Sequence, residues 1–319
     1  MKVNGIHHVS ALTAHAQKNY DFYVKGLGMK LIKKSVNQDE PTMYHLFYGD
    51  EVATPGSDLT FFEIPMLARR VEGTNCISSV SLRVPGEEAL RFWEKRLDEL
   101  GVAKDSITKR AGRSILRFLD PEGQNIILTA DENGKDIGVP VKNSVIPGEF
   151  AIRGLGPVEL SVADTEPTAA VLTDILGFKQ IAEDWTETNQ KLLIFESGEG
   201  GAATEIHVKK TEDLRRERPG RGSVHHVAFR VKDEEELQKW HETISAHGFT
   251  NSGIVERYYF KALYFREPNG ILFELSTDGP GFAVDEDIDH LGQSLALPPY
   301  LENRRKEIEA RLTPIQTTM

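Results

Sequence analysis

The chain repeats itself on a fixed register. Val80, Arg83, Val84, Glu88, Trp93, Gly101, Pro121, Gly123 and Asp131 recur as Val227, Arg230, Val231, Glu235, Trp240, Gly248, Pro268, Gly270 and Asp278, always 147 positions on and without a gap. A fainter echo, 149 positions apart, sets Gly5, Val9, Gly28 and Ile32 against Gly154, Val158, Gly177 and Ile181. A repeat at constant spacing marks one supersecondary unit used several times. The chain therefore divides into four modules, 3–66, 75–130, 152–210 and 222–277, with a linker at 131–151 and a tail at 278–319.

The fourth module shows the unit best. Val224–Val231 alternates as a strand. Asp233 is placed as a helix N-cap, and Glu234, Glu235 and Glu236 suit the positive end of the helix dipole. Leu237, Trp240 and Ile244 form one apolar stripe, and Gly248 ends the helix. Three strand-like runs follow, near 251–257, 259–266 and 271–276, the last two parted by the turn Glu267-Pro268-Asn269-Gly270. The second module reads alike, with Leu90, Trp93, Leu97 and Leu100 on its helix and the turn Asp120-Pro121-Glu122-Gly123. The first predicts a helix from Tyr20 to Gly26, and the third one over about 166–176, opened by Asp164 or Thr165 with Pro167 in its first turn. The order is βαβββ throughout, an α+β chain. A sheet of this kind has one apolar face and must pair with another, so two paired units enclose a cleft.

Composition narrows the functions. At 319 residues the chain can bury two cores. The net charge of −11 argues against a nucleic-acid or anionic-membrane partner, both of which need a positive face. The basic runs Lys209-Lys210 and Arg215-Arg216 lie among Glu212, Asp213 and Glu217 and read as solvated loop. Cys76 is the sole cysteine, so no internal disulfide can form; it reads as a buried structural residue in a reducing compartment. No apolar leader or membrane-length run is present in the sequence, and a cytoplasmic location is expected.

The repeat also serves as an internal control. His225-His226 stands where the second module has Ser78-Ser79, Glu274 where it has Ile127, and His8 where the third module has Pro157. The scaffold does not require these three residue types, which weakens a structural explanation for each. Glu274 sits inside Ile271-Leu272-Phe273-Glu274-Leu275, where an unpaired carboxylate is costly. Two histidines and one carboxylate on separate strands make a 2-His-1-carboxylate set, so His8, His226 and Glu274 are the candidate ligands. His15, His45, His207, His241, His247 and His290 read as surface or packing residues, with a pocket place for His45 as the minority reading.

Ile6-His7-His8-Val9, Tyr44-His45-Leu46, Ala53-Thr54-Pro55-Gly56, His225-His226, Phe273-Glu274, and the tail's Gly281-Phe282, Asp285-Glu286-Asp287 and Leu291-Gly292 carry a resemblance. The chain resembles the vicinal-oxygen-chelate superfamily of glyoxalases and extradiol dioxygenases. Within it, the chain is most similar to the hydroquinone ring-cleaving dioxygenases. The resemblance covers nearly the whole chain. It implies four modules paired into two lobes, and one Fe(II), with Mn(II) as the alternative ion, held by His8, His226 and Glu274. Modules one and four would then meet at the metal. The substrates would be a small aromatic and O2, and a homodimer or larger homo-oligomer is expected.

The resemblance also implies catalytic parts for His225, Tyr264, Arg257 and His7, and substrate binding for Ser10, a serine where threonine is usual. Strand alternation puts Ser10 on the His8 side but His7 and His225 on the opposite side unless the strand twists. Arg257 has a counterpart in Arg110, which leaves a structural part open to it; Tyr264 stands opposite Arg117. Three alternatives remain: a catechol extradiol enzyme, a glyoxalase-like Ni(II) or Zn(II) lyase or isomerase with Glu63 as fourth ligand, and a metal-free aromatic-binding protein.

Overall fold

The computed structural model describes residues 1–132, 134, 138–211 and 215–317. Glu212 and Asp213, parts of the 131–151 linker and the end of the tail lie outside them.

Each quarter of the chain supplies four strands. They are β1–β4 at Ile6–Thr13, Lys30–Val36, Tyr44–Gly49 and Asp58–Glu63, and β5–β8 at Cys76–Val84, Thr108–Arg110, Arg113–Leu119 and Asn125–Ala130. Next come β9–β12 at Leu155–Val162, Lys179–Trp185, Lys191–Glu196 and Glu205–Lys210, then β13–β16 at Val224–Val231, Asn251–Glu256, Phe260–Arg266 and Leu272–Pro280. They form two eight-stranded sheets. One runs β14-β15-β16-β13-β1-β4-β3-β2 and the other β10-β11-β12-β9-β5-β8-β7-β6. The first and last quarters of the chain therefore share a sheet, as do the middle two. Each sheet is joined at its centre by an antiparallel pair, β1 with β13 and β5 with β9.

A helix follows the first strand of each quarter. Those of the second and fourth, Glu87–Glu99 (α2) and Glu234–Ala246 (α4), are regular and bury the stripes read from sequence, including Trp93 and Trp240 at 0% exposure. Leu100 is the exception: it lies at the C-terminal cap of α2, past the last full turn, and is 37% exposed. Asp233 caps α4 by accepting the Glu236 amide at 3.0 Å, and Asp164 does the same for the Glu166 amide ahead of Thr165–Ala170 (α3). The helices of the first and third quarters, α1 (Ala16–Tyr20) and α3, widen after about one turn. Leu27 N–H reaches back to Phe22 and Leu176 N–H to Val171, five residues rather than four.

Two features tie the molecule together. The segment after β4 crosses the segment before β13, with Val71 and Arg218 exchanging backbone hydrogen bonds at 3.0 and 3.1 Å. A Cβ on Gly73 would meet the Arg215 carbonyl oxygen at 2.3 Å, and one on Gly220 the Ala68 oxygen at 2.3 Å, so both crossing points require glycine. The tail, ending in a helix at Arg305–Arg311 (α5), packs on β2. Ser35 donates to the Ala296 oxygen, and the fully buried Lys33 pairs with Asp285 and Glu286 at 2.7 and 2.5 Å. Cys76 is buried, which pushes its thiol up to about 12. Among the described residues no helix is long and apolar enough to cross a membrane.

Candidate metal centre

Register builds the site. Tyr264, Glu274, Ala228 and His8 form one row across β15, β16, β13 and β1. Side chains in register share a face, and the small, buried Ala228 between Glu274 and His8 leaves space for both to converge. His226 and Ser10 face each other in the next row. The His8 and His226 Nε2 atoms come to 3.2 Å, and the Glu274 Oε2 lies 3.4 Å from the first and 2.8 Å from the second. Among the described residues this is the one group of three or more His, Cys, Asp or Glu side chains able to hold a metal ion.

The electrostatics suit a cation. Glu274 is 0% exposed, and burial alone would raise its carboxyl; the His8 and His226 rings hold it well below the carboxylate range. Its Oε1 accepts from Ser276 Oγ at 2.5 Å, while its Oε2, 2.8 Å from His226 Nε2, has no well-directed hydrogen-bond donor. A buried charged oxygen left this way is expensive. Three unfilled donor atoms converging on one point are what a metal with three protein ligands needs, so the residues fit the ion.

Both imidazoles are held from behind. His7 Nδ1 lies 2.9 Å from His8 Nδ1, and His225 Nδ1 lies 2.7 Å from His226 Nδ1. With Nε2 bare for a metal, each ligand ring carries its proton on Nδ1 and donates it to the preceding histidine, which must be uncharged to accept it. Burial, with the His8 ring beside it, lowers His7 to about 3, in keeping with an acceptor.

Simple alternation does not place His7 and His225, because each is the extra residue of a β-bulge. The β1–β13 register slips once between Ile6 and His8 and once opposite Ser10–Ala11, where β13 inserts His225. A bulge re-aims its side chain. His225 thereby reaches the cavity mouth, whereas His7 stays buried and does not line the cavity, 5.4 Å from the Phe260 ring.

The cavity in front of the three donors measures about 400 Å3. Ser10, His225, Arg257 and Tyr264, all expected from sequence, line it together with His8 and His226. Arg257 Nε donates to the Tyr264 hydroxyl at 3.3 Å, and its guanidinium pairs with Asp39 at 3.0 Å. Burial and the Glu274 charge raise the Tyr264 phenol, so it stays protonated. Glu63 is not part of this group: it accepts the Ala16 amide at 2.9 Å, at the start of α1.

Sequence reasoning undervalued His45. Its ring lies in the cavity wall between Phe47 and Phe62, with centroids at 3.9 and 4.0 Å. Its structural counterpart in the third quarter is Leu192, buried and apolar, because β11 and β12 pair Leu192 with Lys209 as β3 and β4 pair His45 with Phe62. Phe62 and Phe260, which complete this wall, carried no signal beyond their strands, and neither did Thr60, buried behind it.

The family model described as the Glyoxalase/Bleomycin resistance protein/Dioxygenase superfamily matches residues 5–128 and 154–275. A Bacillus subtilis (strain 168) protein that carries the provisional name ring-cleaving dioxygenase MhqA is 70% identical, covering 99% of this chain and 100% of its own length. The chlorohydroquinone/hydroquinone 1,2-dioxygenase of Sphingobium indicum is 31% identical over 96% of this chain and 95% of its own. The crystal structure of a provisionally assigned dioxygenase from Bacillus subtilis superposes with a TM-score of 0.91 at 35% identity, covering 99% of both chains.

Proposed function

This chain belongs to the Glyoxalase/Bleomycin resistance protein/Dioxygenase superfamily, and on that premise we propose that it is a ring-cleaving dioxygenase acting on hydroquinones. A single Fe(II) would be held by His8, His226 and Glu274; Mn(II) fits the same donors. The observation that carries this reading is the buried Glu274 Oε2, charged, without a donor, and faced by two imidazole nitrogens. When bound, the metal supplies open positions at which a ring hydroxyl and O2 are brought together.

The chain's own side chains do the rest. His7 and His225 fix the ligand rings by accepting their Nδ1 protons. His225 then presents Nε2–H at the cavity mouth, which suits the acid half of an acid/base part. Arg257 and the Tyr264 hydroxyl stand ready as donors to negative charge on a substrate oxygen. Phe62 and Phe260 give the ring an apolar bed and keep water out.

The test is anaerobic Fe(II) reconstitution followed by oxygen uptake with methylhydroquinone and catechol side by side. Uptake with methylhydroquinone at least about tenfold faster than with catechol, a difference of ~1.4 kcal/mol in barrier, is expected. Iron-loaded protein that consumes no oxygen with either would overturn the reading.

A further inference from the structure

We propose that His45 is a positioning residue: through Thr60 it aims the Ser10 hydroxyl at a substrate oxygen, so that a three-membered hydrogen-bond chain meets the substrate. This rests on the ring-cleaving reading above and adds a specificity element to it. Ser10 Oγ lies 2.7 Å from Thr60 Oγ1, and Thr60 Oγ1 lies 3.0 Å from His45 Nε2. Ser10 and Thr60 are directly opposite on β1 and β4, and both are 0% exposed. Ser10 faces His226 on β13 and follows His8 by two residues, so the chain ends beside both candidate ligands.

The proton count gives His45 its leverage. Thr60 has one proton and two partners, so it can donate to only one of them. If His45 carries its proton on Nε2 it must donate to Thr60; Thr60 then donates to Ser10, and the Ser10 proton is turned into the cavity. If His45 accepts instead, Ser10 donates to Thr60 and offers the cavity only lone pairs. The first arrangement suits a substrate oxygen that carries negative charge. The imidazole is well suited to hold it. Phe47 and Phe62 clamp the ring, and burial together with the neighbouring His8 keeps it uncharged.

The second sheet shows that the scaffold does not need this chain. There the positions of Ser10, Thr60 and His45 are Glu159, His207 and Leu192, with His207 turned to Glu205 at 2.9 Å.

The test uses full-length metal-loaded protein with the variants His45→Phe, His45→Gln, Thr60→Val and Thr60→Ser. His45→Phe keeps the aromatic stack and removes the hydrogen bond; His45→Gln restores an N–H donor. Steady-state kinetics with methylhydroquinone should show kcat/KM lowered about tenfold in His45→Phe and in Thr60→Val, and no further in the double variant. His45→Gln and Thr60→Ser should stay within about twofold of wild type. Anaerobic binding of methylhydroquinone should weaken in the same two variants, with metal content and melting temperature unchanged. Three results would each overturn the proposal: a wild-type-like His45→Phe, losses that multiply in the double variant, or a His45→Gln no better than His45→Phe. If wild-type protein consumed no oxygen the ring-cleaving reading would fail, while the anaerobic binding series would still judge the chain.

Discussion

The two sheets share one backbone plan and put it to opposite ends. Both are joined by an antiparallel central pair with two bulges, at His7 and His225 in the first and at Ser78 and Gly156 in the second. In the first sheet the rows beside the bulges hold two histidines, one glutamate and an open cavity. In the second, ion pairs fill the same rows. Arg110, the counterpart of Arg257, reaches Glu159 at 2.6 Å and Glu187 at 2.7 Å; Lys209 also reaches Glu159, at 2.8 Å. Arg113 and His207 converge on Glu205. What remains is a void of about 10 Å3.

The tail reverses the pattern further along the groove. Phe282 packs against Phe47 and Tyr259 in the first sheet, whereas the second keeps a polar cavity of about 520 Å3 beside Gly112 and Arg113. The hollow is thus a property of the fold, and a handful of side chains decide where it stays open.

The largest effect expected from that contrast is at Glu274. Glu274→Gln should lower metal affinity and ring cleavage by more than about a hundredfold, since even residues behind a ligand are worth 10–100-fold. Metal analysis and oxygen uptake measure it, and wild-type iron content with wild-type activity would break the contrast. In the second sheet the equivalent lesion should touch stability alone. Arg110→Met leaves Glu159 short of a partner and should cost about 3–5 kcal/mol in denaturant unfolding, with kcat of the folded protein unchanged.

Acid should act on the same network. Burial would raise the Glu159 carboxyl, but Lys209 and Arg110 hold it at about 2. A lowered folded pKa gives stability that is complete above the unfolded value and disappears as pH falls toward the folded one. Between about pH 4.5 and 2 the wild type should therefore lose up to ~3 kcal/mol that Glu159→Gln does not lose, as read from unfolding curves across that window. The smallest effect belongs to Asp39, whose side chain is 72% exposed against Arg257. Asp39→Asn should change stability by less than about 1 kcal/mol, a small shift in thermal melting.

The repeat made much of this legible. A constant offset revealed where the scaffold accepts Ser79, Ile127 and Pro157, and so which residues were additions to it. The caps at Asp164 and Asp233 and the buried Trp93 and Trp240 followed from local pattern. The bulges did not, because one inserted residue changes which way a side chain points without changing the alternation around it. For the same reason alternation set His225 on the side away from Ser10, whereas it lines the cavity; His7, set there too, does not line it. His45 was undervalued because its counterpart Leu192 lies 147 positions on, off the 149-residue register of the first-to-third echo, and shows only once the strands are paired. The wide turns after α1 and α3 had no signal in spacing, since apolar contacts tolerate either five- or four-residue hydrogen bonding.

The crossing at Gly73 and Gly220 has a consequence for how the protein is made. Strands β5 to β12 form one unbroken stretch of chain, so a ribosome releases the second sheet complete while the first is half synthesised. His8 leaves the ribosome early and waits for two partners more than two hundred residues away. The sheet that carries the proposed metal ligands closes last, over a neighbour that can already be folded. No ion can be gripped by all three donors until Glu274 has emerged, so metal capture belongs to the end of biosynthesis. A nascent chain stopped after β12 would bury its ion-paired sheet and have no metal site at all.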